Sequence, residues 1–395
     1  MRNAKKTNAY MRLIFLFGFF GLSIGDAFNV LYAKQLALEI APPGKLELFT
    51  SLPVTMMNAM MVVGVISANL MVQKKQNIVR FIRVSTIITA VGMLIRGLAF
   101  HYVILMAGFM IDGFGYGCFY IAIRYYAYLF SDDKERLDAM AVINGGSFAG
   151  QCLGTVLGGI LAGQMPYRTV YLMAVALLVV PLFFLPKVQI DTPLVVGRLR
   201  DSLRVFMNRD AVVFLLFLVL PVFTCTIFVS YSVPLDADMF GYSPTVISAL
   251  LLGCYMIAAY SGPFMTRLMT KRLSTLAASI IYCAAVAILI AFYTLSRSFP
   301  FLLVVVLLLG VMDSFGPSVM TDAYTKTKKN AKYSDNDALV VYILVTRIGM
   351  TMAPTLILVF GTTLVLSNIV IMGLAIFLLI GVLVNLRTRM QAGKK

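Results

Sequence analysis

The chain has 395 residues, 60% of them hydrophobic and 13% charged, with 33 Lys+Arg against 17 Asp+Glu for a formal charge of +16. A soluble domain would be about a quarter charged, whereas 60% of 395 is about 237 apolar residues, the content of twelve membrane spans of about 20 residues each. Composition therefore excludes a soluble fold, and basic residues confined to short gaps between apolar runs exclude a nucleic-acid face.

Apolar runs cover 12 to 34, 50 to 72, 80 to 100, 102 to 128, 139 to 163, 168 to 186, 211 to 234, 244 to 266, 273 to 295, 299 to 322, 338 to 360 and 362 to 386. Each is long enough to cross a bilayer as a helix at about 1.5 Å per residue. The opening MRNAKKTNAYMR is basic and polar and lacks a small-residue cleavage site, so it reads as the flank of a retained first span. Alternate connections differ sharply in charge. With the N-terminus cytoplasmic, the inner segments hold 26 of the 33 basic residues, and the outer ones hold Lys34, Lys45, Arg168 and Arg297. The positive-inside rule then places both termini in the cytoplasm, as an even number of spans requires. The inner charges also predict contact with anionic lipid headgroups.

The longest inner connection, 187–210, divides the chain into two six-span bundles, 1–186 and 211–395. Its LVVGRLRDSLRVFM stretch reads either as a basic interfacial helix or as a solvated linker. The absence of long outer loops and of Asn-x-Ser/Thr sequons in them suits a bacterial inner membrane. Cys118, Cys152, Cys225, Cys254 and Cys283 lie inside apolar runs without CxxC spacing, and His101 is the single histidine. Neither a metal site, a disulfide framework nor a Ser-His-Asp hydrolase is expected. No GxxxxGK[ST] motif occurs, so no nucleotide cofactor is expected, no enzymatic activity is read, and energy must come from ion or substrate gradients.

The two halves share a short repeat. MIDGFG in the fourth span superimposes on VMDSFG in the tenth, setting Asp112 on Asp313 at an offset of 201 residues. Parallel repeats of this kind occur in transporters built from two related halves.

With twelve spans, cytoplasmic termini and a basic central loop, the sequence resembles the major facilitator superfamily of secondary transporters over essentially its whole length. The fifth span holds Gly150-Gln-Cys-Leu-Gly154-Thr155-Val-Leu-Gly158-Gly159, similar to the family's GxxxGPxxGG antiporter motif with Thr155 in place of proline. Small residues at this spacing form a smooth helix face, which also serves as an ordinary packing face in any bundle. The loop between the second and third spans, Ser67 to Lys75, keeps only the terminal basic pair of the family pattern. Its counterpart in the second half keeps Gly262 and the basic residues Arg267, Lys271 and Arg272 as a gating loop. The arginine that the family often carries before the GxG of the fourth span is missing, Ile111 and Asp112 standing ahead of Gly115 and Gly117.

Ionisable groups at bilayer depth each cost about 2.5 to 3.5 kcal/mol to insert, and so mark function. The candidates are Asp26, Arg96, Asp112, Arg124, Asp313 and Arg347. The resemblance implies that the first, fourth, seventh and tenth spans line a central cavity, which would place Asp26, Asp112 and Asp313 there as substrate-binding or proton-carrying groups. Helical spacing predicts that Ser23, Asp26 and Asn29 share one face and that Asp112, Tyr116 and Tyr120 share another, which adds Asn29, Tyr116 and Tyr120 to the expected substrate-binding or proton-coupling groups. Asp313 and Arg347 read alternatively as a fixed bridge. Arg96 and Arg124, near span ends, read as side chains that reach the headgroups or pack on a neighbouring helix.

These residues point to a monomeric secondary transporter working by alternating access. Proton-coupled antiport that exports a small amphipathic or cationic compound is the leading reading. A proton symporter or uniporter of a nutrient or organic anion, with Arg347 as the anion anchor, is the alternative on the same fold. A transporter-like membrane sensor is the alternative of another class.

Overall fold

The computed structural model describes residues 2–72, 78–127, 133–187, 208–295, 298–326, 341–352 and 372–385. Among them there is no strand. The helices are α1 (Arg2–Ser23), α2 (Asn29–Ala37), α3 (Leu46–Val72), α4 (Ile78–Leu98), α5 (Tyr102–Ala127), α6 (Asp133–Ala162), α7 (Tyr167–Phe184), α8 (Arg209–Phe214), α9 (Leu220–Met239), α10 (Pro244–Arg272), α11 (Thr275–Leu295) and α12 (Phe299–Lys326). Two shorter apolar helices follow, α13 (Val341–Met352) and α14 (Met372–Asn385). Seven of the described helices have a window long and apolar enough to cross a membrane, in α3, α4, α5, α7, α10, α11 and α12. The expected eleventh and twelfth spans are described only over α13 and α14, and the part of the 187–210 connection that carries the expected interfacial helix lies outside the described residues.

By contacts the chain divides into two compact units. One comprises Met1–Arg198 with Tyr242–Leu252, the other Leu199–Gly241 with Gly253–Lys395.

In the first unit, glycines decide which helices touch. On α6 they recur every fourth residue, so they form one stripe, and that stripe lies on α1. A Cβ at Gly146 would stand 2.7 Å from the Arg12 carbonyl oxygen, one at Gly154 would stand 2.5 Å from the Phe20 oxygen, and those at Gly150 and Gly158 would collide with the Leu16 and Ile24 oxygens. The α1 backbone occupies the space where side chains would be, the close crossing that small-xxx-small faces permit. Gly159 points elsewhere within the same unit, against the side chain of Ser248.

Helix α5 is clamped on two sides by the same device. Gly113 and Gly117 lie on the Met57 and Met61 carbonyls of α3, while Gly108 and Gly115 lie on Arg96 and Thr89 of α4. The hydroxyls of α4 are satisfied inside that helix, with Ser85, Thr86 and Thr89 donating back to the carbonyls of Phe81, Ile82 and Ser85. This return bonding removes the cost of burying them.

Prolines set the irregularities. Pro53 in α3 has no N–H for the Phe49 carbonyl, which instead accepts a 2.6 Å hydrogen bond from the Tyr102 hydroxyl of α5. Asn208 caps α8, accepting from the Asp210 and Ala211 amides at 3.1 and 3.4 Å. Between α8 and α9 the chain widens into a π-helical turn, Leu215–Val219. Pro221 follows and leaves the Phe217 carbonyl without its usual donor, and the backbone of Gly381 in α14 packs against that carbonyl. Widened turns of this kind arise where the regular ladder is interrupted.

Two sequence expectations are corrected here. The first span, expected as one helix over 12 to 34, is broken. The backbone bonds across the break are Asp26 N–H to Ser23 at 3.1 Å, Phe28 to Gly25 at 2.9 Å and Asn29 to Gly25 at 2.7 Å, a mixture of three- and four-residue reaches. Gly25 and Asp26 are poor helix formers, and the Asn29 side chain folds back into the space beside Gly25 that a Cβ would fill. The second correction concerns Arg267, Lys271 and Arg272, which form the exposed last turns of α10 and not a loop. Cations favour a helix C-terminus, so the helix continues through them to Arg272, and the Leu273 amide just beyond still bonds Met269 at 2.8 Å. Ser274 then caps α11.

Candidate functional site

The polar centre of the first unit is built on α4 and α5. Arg96 Nη2 lies 2.5 Å from Asp112 Oδ2, and the two side chains are 1% and 2% exposed. Glycines one turn back on each helix bring them together. A Cβ at Gly92 would press on the Asp112 Cα and Cβ, each 2.7 Å away, and one at Gly108 would press on the Arg96 Cγ at 2.9 Å. The guanidinium is held on its remaining sides by soft groups. Its Cζ stands 3.7 Å from the Phe109 ring centroid and 5.5 Å from that of Tyr171, a cation–π arrangement that in part replaces lost hydration. Met57 Sδ is 3.2 Å from Nη2 and Met93 Sδ is 3.8 Å from Nη1.

The pair is incompletely satisfied. Asp112 Oδ1 and Arg96 Nε are both buried without a hydrogen-bond partner. Buried polar groups in that state are costly and are retained where they have a task.

Of the two sequence readings of Arg96, this arrangement matches the one in which it packs on a neighbouring helix and not the one in which it reaches the headgroups. Helix side chains lean toward the helix N-terminus, so an arginine in the last turn of α4 points back into the span and not outward past Leu98. Arg124, grouped with it, has a side chain outside the described residues.

Asp26 sits in the break between α1 and α2 and is half-buried. Thr155 occupies the proline position of the antiporter-like motif. Its hydroxyl is fully buried and has no hydrogen-bond partner. The expected face of Ser23, Asp26 and Asn29 does not form as a helical stripe, because the helix stops between the first and the last. Asn29 is buried on the other side, where its Oδ1 accepts a 2.5 Å hydrogen bond from Tyr171 of α7. Tyr116 and Tyr120 stay together on α5, with ring centroids 6.4 Å apart, and Tyr116 meets Phe19 of α1 edge-on at 6.2 Å.

In the second unit, Asp313 of α12 accepts a 2.9 Å hydrogen bond from the Tyr282 hydroxyl of α11. Pro317, four residues on, has no N–H for the Asp313 backbone carbonyl, which concentrates acceptors at that level of the helix. Arg347 of α13 is buried, with its Nη1 3.4 Å from Met350 Sδ.

The two repeat segments agree in detail. Gly115 and Gly316, each three residues past its aspartate, face the preceding helix at Thr89 and Tyr282. In both units, then, the D-x-x-G aspartate and glycine lie on one face against the preceding helix, which supplies the partner, Arg96 in one unit and Tyr282 in the other.

Sequence reasoning missed Tyr171, Tyr282 and the pair formed by Asp236 and Tyr293. The last is buried, with the Tyr293 hydroxyl donating to Asp236 Oδ2 at 2.7 Å. Ending the seventh span at 234 excluded Asp236, although α9 continues to Met239.

Among the described residues, apolar helices that carry Asp112 buried between helices and Asp26 and Asp313 beside helix interruptions have the features of a membrane transporter fold. Residues 14–334 match the Major Facilitator Superfamily, and the chain belongs to that family. Among curated relatives it is similar to the multidrug resistance protein MdtL of Escherichia coli O139:H28 (strain E24377A / ETEC), 24% identical over 187 residues, covering 46% of this chain and 48% of MdtL. The matched stretch thus spans about half of that relative. Among solved structures, a D-xylose-proton symporter superimposes with TM-score 0.76 at 14% identity, covering 96% of this chain and 95% of the symporter. The nucleoside transporter NupG does so with TM-score 0.70 at 11% identity over 96% of this chain and 98% of NupG. At these identities the likeness establishes the fold.

Proposed function

We propose that this member of the superfamily is a proton-coupled antiporter of a bacterial inner membrane. It exports a small amphipathic or cationic compound by alternating access of two six-span bundles, 1–186 and 211–395, joined through 187–210. Both termini face the cytoplasm, the protein acts as a monomer, and the basic inner segments contact anionic lipid.

The observation that carries this reading is the placement of Asp26, Asp112 and Asp313. Three carboxyls lie in membrane segments, two of them beside an interrupted helix, which is where secondary transporters concentrate substrate and ion contacts. A carboxyl at such depth is retained against an insertion cost of about 2.5 to 3.5 kcal/mol, and exchanging a proton across the membrane is a use that justifies it. Arg96 is occupied by Asp112, and the three carboxyls still outnumber Arg96 and Arg347 together, which favours a cationic or neutral ligand. The similarity to MdtL, a multidrug resistance protein by name, points the same way.

In this reading Asp26, Asp112 and Asp313 carry the proton or meet the ligand, Tyr116 and Tyr120 offer aromatic faces to it, and Asn29 and Arg347 position the surrounding helices. Gly150, Gly154, Gly158 and Gly159 let α6 move against its neighbours, while Arg267, Lys271 and Arg272 act at the cytoplasmic gate. The test is transport by the purified protein in proteoliposomes under an imposed pH gradient. Antiport requires an acidic lumen to drive accumulation of an amphipathic cationic dye, and Asp112→Asn should remove the dependence on the gradient. Uptake driven instead by an acidic exterior would identify a symporter.

A further inference from the structure

We propose that Tyr171 of α7 is a positioning residue of the transport cycle, which ties the Arg96–Asp112 pair to the break between α1 and α2 so that a change in one is felt at the other. The inference deepens the proton-coupled reading above, on which it rests, by naming the side chain through which the charged pair reaches the broken helix.

Tyr171 is fully buried and uses both ends of its side chain. Its ring centroid stands 5.5 Å from the Arg96 Cζ, and its hydroxyl donates to Asn29 Oδ1 at 2.5 Å. The other groups described around the guanidinium lead elsewhere: Asp112 and Phe109 belong to α5, Met57 to α3 and Met93 to α4 itself. Tyr171 leads to α7 and, through its hydroxyl, to α2.

Asn29 is where this linkage reaches the backbone. It is the first residue of α2, its amide donates to the Gly25 carbonyl across the break at 2.7 Å, and its side-chain oxygen occupies the place beside Gly25 that a Cβ would fill. The phenol therefore holds the side chain that is wedged into the break. Asp26 follows Gly25 directly, so a shift of Asn29 alters the backbone that carries Asp26. Neighbouring rings stiffen the linkage. Phe28 packs on Tyr171 and on Tyr167, each at 5.1 Å between centroids. Tyr32, one turn along α2 from Asn29, lies 5.9 Å from the Tyr171 ring, and its hydroxyl donates to the Ala99 carbonyl just past α4 at 2.7 Å.

Chemistry separates the two roles of the side chain. The guanidinium needs only an aromatic face, which phenylalanine would supply together with the packing. The hydroxyl is what packing does not require, and it goes to an amide oxygen that, buried among apolar groups, must find a donor. The Arg96–Asp112 pair is held by one contact, with Arg96 Nε and Asp112 Oδ1 both without a partner, so the guanidinium has room to resettle. When Asp112 takes up a proton it holds the guanidinium less strongly. Arg96 then rests on the rings of Phe109 and Tyr171, and Tyr171 passes the shift to Asn29.

The experiment is hydrogen–deuterium exchange of the backbone amides of residues 25–37 in the purified full-length protein in detergent, with Asp112→Asn standing for the neutral carboxyl and neither ligand nor gradient present. The proposal predicts that Asp112→Asn speeds exchange over 25–37 by about two- to tenfold, the range for loss of one net hydrogen bond, and does so only where the Tyr171–Asn29 bond exists. Tyr171→Phe should itself speed exchange there, and Asp112→Asn added to it should bring no further change. Asn29→Ala removes the same bond from its other end, and Arg96→Gln perturbs the charged pair from its other side; they should behave alike, which keeps the test available should either first variant fail to fold. In dye transport, Tyr171→Phe should lower the maximal rate at an unchanged half-saturating dye concentration, as expected of a buried residue that acts through others. Three outcomes overturn the proposal: exchange over 25–37 unaffected by Asp112→Asn, an equal acceleration with and without the Tyr171 hydroxyl, or a changed half-saturation at an unchanged rate. The exchange measurement involves no substrate, so it can fail while gradient-driven transport stands and can succeed where transport does not, and failure of the linkage is distinguishable from failure of the antiporter reading.

Discussion

Arg96 and Asp112 meet at 2.5 Å between two helices whose glycines, Gly92 and Gly108, each lie one turn before the charged residue of its own helix and against the charged residue of the other. Removing one partner leaves the other as a buried unpaired charge. Arg96→Ala should therefore destabilise the protein by about 3 to 5 kcal/mol. Replacing both, as Arg96→Met with Asp112→Leu, should cost less than either Arg96→Met or Asp112→Leu alone. Thermal unfolding of the four proteins in detergent measures the coupling, and an additive result would mean that the pair is not the structural unit described.

The α6 stripe gives a second prediction. At Gly158 any side chain meets the carbonyl of Ile24, just past the end of α1, which is backbone and cannot rotate away. Gly158→Leu should lower stability by at least about 1 to 3 kcal/mol, the usual cost of overpacking. At Gly253 in α10 the nearest atom to an added Cβ is the Leu307 Cδ2 at 3.1 Å, the tip of a flexible side chain. Gly253→Ala should be neutral or stabilising, since alanine is favoured over glycine in a helix by about 1 kcal/mol. Melting temperatures that did not separate these two variants would contradict the packing described for α6.

Gly25 and Asn29 should be coupled. A Cβ at residue 25 takes the place of the Asn29 amide and would evict it from its bond with Tyr171. Gly25→Ala is expected to destabilise the wild type more than it destabilises Asn29→Ala, with an interaction energy of about 0.5 to 3 kcal/mol in a double-mutant cycle.

In the second unit, Tyr282→Phe deletes the donor to Asp313. Leaving a carboxyl oxygen without its partner should cost about 1 to 3 kcal/mol of stability. If Asp313 carries a proton, the pH profile of transport should move with the same substitution, whereas a purely structural bond would change stability alone.

How much of this could be read from the residues alone depends on the scale of the feature. The all-helical membrane fold follows from composition and hydropathy, because insertion energies act on each residue by itself, and the same energies single out Asp26, Asp112 and Asp313 as candidates; the family is legible through the resemblance of topology and motif. The D-x-x-G repeat was visible too, since glycine and aspartate stand out against an apolar background. What escaped were partners. Arg96 lies two residues from the end of α4, and position along a helix suggests an exposed end, whereas the direction of the side chain decides the matter. The break at Gly25 and Asp26 is hidden because hydropathy runs unbroken through it. Tyr282 and Tyr171 are lone phenols in apolar runs, with nothing in sequence to say what their hydroxyls reach. The resemblance to the family's loop pattern puts Arg267, Lys271 and Arg272 in a loop, whereas α10 runs through them, since charges do not end a helix.

Proton-coupled export is the central claim, and it is tested most directly in proteoliposomes holding the purified protein and an amphipathic cationic dye outside. An acidic lumen should drive dye accumulation that a protonophore abolishes and that Asp26→Asn or Asp112→Asn cannot sustain. Accumulation driven by an acidic exterior, or proceeding unchanged without a pH gradient, would contradict it.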